Sequence, residues 1–417
     1  MNLIKTSLLS GCATIIKIFI GFVLNKILAV YVGPAGVALL GQFSNYSSML
    51  TTFGNGGINS GVTKYIAEYS GDGGKQQKVV STSLSMAFYC SLFFGFFNYL
   101  FAEDLANYLF NSNEYTVIFK VFAVTLVFTS LNSTLLSILN GYKEIKLFIS
   151  IGILNNLIAL LMTYFFAVKY HVLGALLSVV LTQSIVCITT LLIVGRFEWF
   201  DFSFLKIKFD KVVMANLSKY TLMALVSACV VPVSQIMVRN YLSEHLSLDE
   251  AGYWQAVWKI SEVYLMVITT SLSTYYLPRL SEITDKDELK QEILRGYKIL
   301  LPVTIAMACS IYLLREHIIL ILFTPKFVSM KDLFLFQLVG DVLKITSWLL
   351  AFLMLAKAMT KVFIITEIIF SVSFVGFTYG FVNQYGLVGI TYAYAVNYFI
   401  YLVVMSVVVG KRVLWWR

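Results

Sequence analysis

The sequence predicts an all-α polytopic membrane protein, with about 12 transmembrane helices in two six-helix bundles related by pseudo-two-fold symmetry along the membrane normal. Of its 417 residues, 59% are hydrophobic and 13% charged, whereas soluble domains carry about 25% charged residues. The apolar residues form spans of about 20, enough to cross about 30 Å of hydrocarbon. Short strands of alternating polarity, which a membrane β-barrel needs, do not occur. These observations exclude a soluble protein and favour helical bundles.

Apolar spans follow one another along the whole chain, separated by short polar segments. An even number of spans places both termini on one side of the membrane, and most of the 31 lysines and arginines then fall on that side. By the positive-inside rule, both termini are predicted to face the cytoplasm. The predicted spans are 6–32, 35–60, 78–101, 116–139, 147–168, 172–195, 214–240, 250–277, 298–314, 331–356, 362–381 and 387–409.

A linker rich in aromatic residues and lysines, "RFEWFDFSFLKIKFDK", divides the spans into two sets of six. We predict an N-terminal bundle at 1–195, an interfacial cytoplasmic linker at 196–213 and a C-terminal bundle at 214–417. The C-terminal "KRVLWWR" has the composition of a second membrane-surface anchor.

Sparse internal similarity supports two repeated halves. A displacement of 216 residues places Ala35-Gly36 on Ala251-Gly252, and a displacement of 215 places Lys64 on Arg279. Six spans per half give the two halves parallel topology, with their symmetry axis along the membrane normal. This is the architecture of carriers that rock two bundles around a central site.

Polar residues recur at helical spacing inside several spans. A charge in the middle of a bilayer costs about 2.5–3.5 kcal/mol, so such residues normally face a bundle interior or a wet cavity. Polar faces on spans from both halves predict a shared polar cavity. The residues on these faces that we select are Lys17 and Asn25 on span one, Gln42 on span two, Lys259 and Glu262 on span eight, and Asp341 and Lys344 on span ten.

The roles of these groups follow from their neighbours in each helix. Lys17 and Lys26 have no acidic neighbour in their own span, so they are candidate ligands for an anion, although Lys26 can also reach the interface or pair with Glu367. The sequence also contains two pairs of opposite charge at a spacing of three residues, Asp341 with Lys344 and Lys259 with Glu262. The two members of each pair can neutralise one another, in which case the pair is structural.

If these pairs separate, the lysines Lys259 and Lys344 can bind substrate, while Asp341 and Glu262 can couple transport to an ion. Pro232 removes a hydrogen bond from the middle of span seven and is a candidate hinge.

Sequence patterns of catalysis and metal binding are weak in this chain. His171, His245 and His317 are predicted in short external loops far apart, so we predict no metal site and no catalytic residues. Asp285 and Asp287 form a DxD pattern, but Thr284 or Asp285 is better explained as the cap of a short polar helix. The sequence therefore predicts a transporter that is not an enzyme, needs no cofactor and binds no nucleic acid.

Four segments resemble the Wzx-type flippases of lipid-linked oligosaccharides, in the branch that includes the flippase for the enterobacterial common antigen unit. They are "NGGINSGVTKYIAEY" (55–69), "LSKYTLMAL" (217–225), "YYLPRLSEIT" (275–284) and "QLVGDVLK" (337–344). The likeness runs in order over essentially the whole chain. Asp341 and Lys344 stand in the matched "GDVLK", and Lys64 stands in "TKY".

The resemblance implies membership of the multidrug/oligosaccharidyl-lipid/polysaccharide exporter superfamily. It implies transport of O-antigen or enterobacterial common antigen units for lipopolysaccharide and polysaccharide biosynthesis. It also implies an alternating-access mechanism in the bacterial inner membrane. The implied substrate is an undecaprenyl-diphosphate-linked glycan moved to the periplasmic leaflet. We further expect transport to be coupled to H+, Na+ or the membrane potential. The expected partners are membrane lipids, a polymerase and a chain-length regulator. The protein is expected to function as a monomer.

The alternatives are a multidrug or cation antiporter of the same superfamily and a membrane glycan polymerase. An exporter of cations would prefer an acidic cavity, whereas the intramembrane charges here show a small surplus of lysine. The short external loops disfavour a polymerase.

Overall fold

The computed structural model describes residues 3–196, 209–283, 285–357 and 359–409. Within these ranges the chain folds into α-helices joined by short turns and 3-10 segments, without a β-strand. The predicted surface anchors at 197–208 and 411–417 lie outside the described residues.

The N-terminal part of the chain, up to residue 194, forms long helices with two short ones between them. Short α3 follows a turn in which Gly56 and Gly57 both have positive φ, at 68° and 65°, so the predicted second span ends earlier than residue 60. The helices are α1 (Leu3–Tyr31), α2 (Gly33–Gly54), α3 (Asn59–Glu68), α4 (Gly73–Leu100), α5 (Ala102–Phe110), α6 (Thr116–Gly141) and α7 (Ile145–Val194).

The C-terminal part has the same character, with one π-helical turn at Leu272–Tyr276 and a 3-10 segment at Pro325–Leu333. The side chain of Asp285 accepts a hydrogen bond from the Glu288 backbone amide at 2.8 Å, so Asp285 caps a helix as predicted, although that helix is long. The helices are α8 (Lys211–His245), α9 (Leu248–Ser271), α10 (Leu277–Glu282), α11 (Lys286–Leu322), α12 (Phe334–Ala356), α13 (Thr360–Tyr385) and α14 (Gly389–Val409).

Each of the twelve predicted spans coincides with a helical segment. The 50 residues of α7 comprise two helices, which correspond to spans five and six and meet at a turn at His171, where φ is 49° and ψ is −126°. Gly174 is required beside this turn, because a Cβ atom there would overlap the carbonyl oxygen of Phe166. The predicted loop position of His317 is wrong, since apolar residues extend α11 to Leu322.

Eight described helical stretches are long and apolar enough to cross a membrane, and two of them, 145–194 and 360–408, contain two predicted spans each. The predicted spans that fall outside these stretches are α2 and α9. Both carry polar residues at intervals of three and four, which lowers their hydropathy. The polar faces of α2 and α9 therefore explain why these two helices are not apolar enough to be recognised as membrane spans by hydropathy alone.

By its contacts the chain divides into two compact units. The first comprises Met1–Val32 and Leu39–Pro232, and the second comprises Gly33–Ala38 and Val233–Arg417. The boundary at Pro232 differs from the predicted linker at 196–213, because the start of α8 packs within the first unit. The predicted interfacial position of that linker stays a prediction.

The start of α8 is joined to the first unit by specific contacts. Thr221 donates a hydrogen bond to the carbonyl of Gly56 at 2.7 Å, and Leu217 is buried in a core with Val62. Lys78 of α4 forms an ion pair with Asp210 at 3.1 Å. The segments "NGGINSGVTKY" and "LSKYT", which both carry the family resemblance, therefore pack on each other.

The Ala251-Gly252 pair, which matches Ala35-Gly36 in the sequence, packs against the short segment at the start of α2. Asp249 accepts a hydrogen bond from the Ala35 backbone amide at 3.0 Å. A Cβ atom on Gly252 would overlap the backbone carbonyl of Pro34. The absence of a side chain at 252 therefore lets these two backbones approach.

We expect Gly252→Ala to lower the free energy of unfolding by about 1–3 kcal/mol, because the obstructing atoms belong to the backbone and cannot rotate away. The measurement is the thermal unfolding midpoint of the purified protein in detergent. Gly376→Ala is the matched control, since a Cβ atom at that helical glycine has no neighbour within 4 Å. Equal midpoints for both variants would contradict the expectation.

Candidate functional site

The carboxyl group of Asp341 lies fully buried in the second unit, on α12. Its Oδ2 atom accepts hydrogen bonds from Ser261 at 2.6 Å and Tyr264 at 2.8 Å, and its Oδ1 atom accepts one from Tyr394 at 2.9 Å. An ionised carboxylate only accepts hydrogen bonds, so three hydroxyl donors suit it. Gly340 permits the approach of Tyr394, because a Cβ atom there would overlap the tyrosine ring.

The ammonium group of Lys344, one turn farther along α12, lies among aromatic rings. Its Nζ atom is 4.9 Å from the ring centroid of Trp348, 5.4 Å from that of Trp258 and 5.6 Å from that of Tyr398. We call these three residues the aromatic cage. Each ring attracts the cation electrostatically, by about 0.5–2 kcal/mol depending on its exposure to water.

The possible neutralising pair of Asp341 with Lys344 is not formed as an ion pair in the described part of the chain. Hydroxyl groups from α9 and α14 occupy the Asp341 carboxylate, and the aromatic cage holds the lysine. Among the described residues, the Lys344 ammonium has no hydrogen bond and no ion pair. It therefore keeps the capacity to bind an anion, as an ammonium group has three donors.

Lys259 and Glu262 do form the ion pair that their spacing allows. Their charged atoms lie 3.2 Å apart, and both side chains are about half exposed, at 50% and 49%. Glu262 also accepts a hydrogen bond from the indole of Trp258 at 3.0 Å. Glu262 therefore holds one wall of the aromatic cage while it compensates the charge of Lys259.

Arg239 is a buried cation that was not among the predicted site residues. Only 2% of its surface is exposed, its Nη2 atom donates to Gln255 at 2.7 Å, and its guanidinium lies 5.4 Å from the ring centroid of Trp254. The predicted span seven ends at residue 240, whereas α8 continues to His245. The sequence signal for a buried Arg239 was its spacing of four residues from Gln235, which places both polar side chains on one face of a longer helix.

In the first unit, the predicted residues of α1 and α2 have different surroundings. Lys17 is exposed among the exposed side chains of Ile16 and Phe19, Asn25 and Lys26 are half-buried, and Gln42 is 2% exposed. Lys64 of α3 pairs with Glu68 at 3.9 Å. The assignment of Lys17, Asn25, Lys26 and Gln42 to substrate binding stays a prediction, as does the hinge at Pro232, which lies inside α8.

A cavity of about 490 Å³ lies within the first unit, between α2, α3, α6 and α7. None of the described residues that line it is charged, and most of them carry hydroxyl or amide groups. From the sequence we selected Gln42, which is on a neighbouring face of α2, and missed the face that lines the cavity. On the cavity face, hydroxyl side chains also recur every three or four residues. The lining residues from α2 are Ser44, Ser47, Ser48, Thr51 and Thr52, and Asn55 follows directly after the helix.

The remaining lining residues come from the three other helices. They are Asn59 on α3; Phe122, Thr129, Asn132, Ser133 and Leu136 on α6; and Asn155, Val179 and Gln183 on α7.

The chain matches a known family over most of its length. The family profile described as "Polysaccharide biosynthesis protein" matches residues 3–284. The chain belongs to the polysaccharide biosynthesis protein family. Two curated relatives are the proteins named "Lipid III flippase" of Escherichia coli strain K12 and Shigella flexneri. Each is 33% identical over 420 residues, with both chains covered to 100%.

Solved structures of transporters share the fold of this family member. An inward-facing multidrug resistance transporter of the MATE family, within the MOP superfamily, has a TM-score of 0.79 at 15% identity, with 94% of each chain covered. The lipid II flippase MurJ in an inward closed conformation has a TM-score of 0.75 at 16% identity, with 98% of this chain and 88% of that chain covered. The predicted all-α polytopic transporter fold is confirmed.

Family membership also decides between the broad classes weighed from the sequence. The curated relatives are named flippases, which are transporters, so the prediction that the chain is not an enzyme is confirmed. The Wzx-type resemblance is confirmed by the same full-length relatives. This member of the polysaccharide biosynthesis protein family is a multi-pass membrane protein.

Proposed function

We propose that the protein translocates an undecaprenyl-diphosphate-linked oligosaccharide from the cytoplasmic to the periplasmic leaflet of the bacterial inner membrane by alternating access. The observation that carries the anionic part of this proposal is the Lys344 ammonium, which has aromatic neighbours but forms no ion pair among the described residues. A diphosphate supplies the missing negative charge, and lysine binds phosphate as a point charge.

The similarity to the Lipid III flippases over the full length supports a lipid-linked glycan as the substrate class. In this proposal both termini face the cytoplasm and the protein works as a monomer with a polymerase and a chain-length regulator of the same pathway. It uses no cofactor. The energy comes from H+, Na+ or the membrane potential, with Asp341 and Glu262 as the candidate coupling groups.

Deletion of the gene in its own host tests the proposed function. We expect an undecaprenyl-diphosphate-linked glycan to accumulate in the cells, while the corresponding surface glycan disappears. A plasmid copy of the gene restores the surface glycan. Mass spectrometry of extracted lipids identifies the accumulated glycan, and deletion cells without such an accumulation would contradict the proposal.

The cationic site is tested by plasmid-borne Lys17→Ala, Lys259→Ala and Lys344→Ala in the deletion strain, at matched protein levels. We expect Lys344→Ala to restore the least surface glycan, because this lysine forms no ion pair in the described structure. Lys259→Ala should lose less, because Glu262 already compensates its charge at 3.2 Å. Surface glycan at the wild-type level from all three variants would refute a cationic site.

A further inference from the structure

The uncharged cavity of the first unit has features of a binding site that the cationic groups do not explain. Its volume of about 490 Å³ falls within the range of about 300–1,000 Å³ for pockets that bind small molecules. Serine, threonine, asparagine and glutamine dominate its lining, with Phe122 as its aromatic residue. Such a surface is polar without net charge, which differs from what a diphosphate requires.

Three asparagines of this lining carry amide oxygens with no hydrogen-bond partner among the described residues. They are Asn59 on α3, Asn132 on α6 and Asn155 on α7. Asn132 is only 2% exposed, so its amide is held in the protein interior at the wall of the cavity. A buried polar group without a partner costs about 1–3 kcal/mol, so a hydroxyl group that enters the cavity and donates a hydrogen bond to these amides would be favoured.

Another buried asparagine in the same unit shows what a purely structural amide looks like. The Oδ1 atom of Asn98 accepts a hydrogen bond from the Tyr46 hydroxyl, and its Nδ2 atom donates to the Phe119 carbonyl at 2.7 Å. Both halves of this amide are occupied within the fold. Asn98 thus differs from the three cavity asparagines, whose amide oxygens have no hydrogen-bond partner among the described residues.

The chemistry of these groups restricts the ligand. Unpartnered amide oxygens accept hydrogen bonds, and an ionised phosphate or carboxylate has no proton to donate to them. A sugar hydroxyl both donates and accepts, so it would satisfy the amides in either orientation of their oxygen and nitrogen atoms.

We propose that the cavity binds uncharged, hydroxyl-bearing sugar of the transported lipid, through Asn132, Asn155 and Asn59, and so contributes to glycan recognition. This inference rests on the proposed function and assigns the first unit a part in it. It is independent of the contact that Lys344 makes with the diphosphate.

The test compares two lipids on the purified full-length protein in detergent: undecaprenyl diphosphate, which has no sugar, and the lipid-linked glycan extracted from the deletion strain. Binding is measured by microscale thermophoresis. We expect wild-type protein to bind the lipid-linked glycan more tightly. Asn132→Ala and Asn155→Ala should each raise the Kd for the lipid-linked glycan about tenfold, as expected for the loss of a buried hydrogen bond, without changing the Kd for undecaprenyl diphosphate.

Asn98→Ala is the matched control, because it removes a buried amide from the same unit but not from the cavity. It should lower the thermal unfolding midpoint while preserving the ratio of the two Kd values. If the cavity variants leave that ratio unchanged, or if wild-type protein binds both lipids equally, the sugar site is refuted while the proposed function stands. Wild-type protein that binds neither lipid would refute the proposed function itself.

Discussion

Lys344→Ala is expected to abolish most of the transport activity while leaving the protein folded. The reason is that the Lys344 ammonium has no ion pair in the described structure and is surrounded by Trp258, Trp348 and Tyr398. When this charge is removed, the buried Asp341 carboxylate keeps its three hydroxyl donors. In the deletion strain we expect surface glycan to fall at least about tenfold, which corresponds to about 1.4 kcal/mol of lost interaction.

Two further variants separate the charge of Lys344 from its shape. Lys344→Arg keeps a cation that stacks on aromatic rings, and should retain much of the activity. Lys344→Met keeps an apolar chain of similar length without the charge, and should behave like alanine. All variants are compared at equal membrane abundance.

The thermal unfolding midpoint of each Lys344 variant in detergent completes this test. We expect the alanine and methionine variants to unfold within a few degrees of wild type, because only cation–ring contacts are lost. Normal surface glycan from Lys344→Met would show that the charge is not needed. A large drop in the unfolding midpoint would show that the lysine is structural.

Asp341→Ala is expected to destabilise the second unit strongly, by about 3–5 kcal/mol. The carboxylate accepts hydrogen bonds from Ser261, Tyr264 and Tyr394, so its removal leaves three buried hydroxyl groups without their acceptor. Hydrogen bonds to a charged group contribute about 1.5–3 kcal/mol each, and some of the hydroxyl groups will find other acceptors after the change. The measurement is the thermal unfolding midpoint together with the amount of protein in the membrane.

Asp341→Asn tests whether the charge of this group also serves transport. The amide keeps an oxygen acceptor and nearly the same shape, so the protein should fold with a smaller loss of stability than in Asp341→Ala. If Asp341 couples transport to an ion, Asp341→Asn should fold but fail to restore surface glycan. Full activity of Asp341→Asn would assign Asp341 a structural role, and an unchanged unfolding midpoint for Asp341→Ala would contradict the hydrogen-bond argument.

The helices were predictable because hydropathy is a local property of the sequence. Each of the predicted spans coincides with a helix, since only helices satisfy the backbone hydrogen bonds of such apolar segments within hydrocarbon. The turn at His171 was predictable only as a boundary between spans. Its positive φ and the close approach of Gly174 to Phe166 depend on how the two halves of α7 pack.

The residues of the candidate site were predictable in part. Helical spacing correctly placed Asp341 and Lys344 on one polar face, and the Lys259–Glu262 pair is formed at 3.2 Å. The spacing could not show that the Asp341 carboxylate binds hydroxyl groups from α9 and α14 instead of Lys344. Those donors are 77 to 80 positions away from Asp341 on α9 and 53 on α14, so no local pattern connects them.

By itself, the sequence determined the class of this protein: a membrane-spanning bundle of helices with polar faces, similar to the flippases of lipid-linked glycans. These features follow from composition, spacing and similarity, which need no knowledge of packing. Only the tertiary structure decided which charges are compensated, because a buried charge is neutralised by whichever groups lie nearest in space. It placed hydroxyl groups around Asp341, aromatic rings around Lys344 and unpartnered amides around a cavity in the first unit.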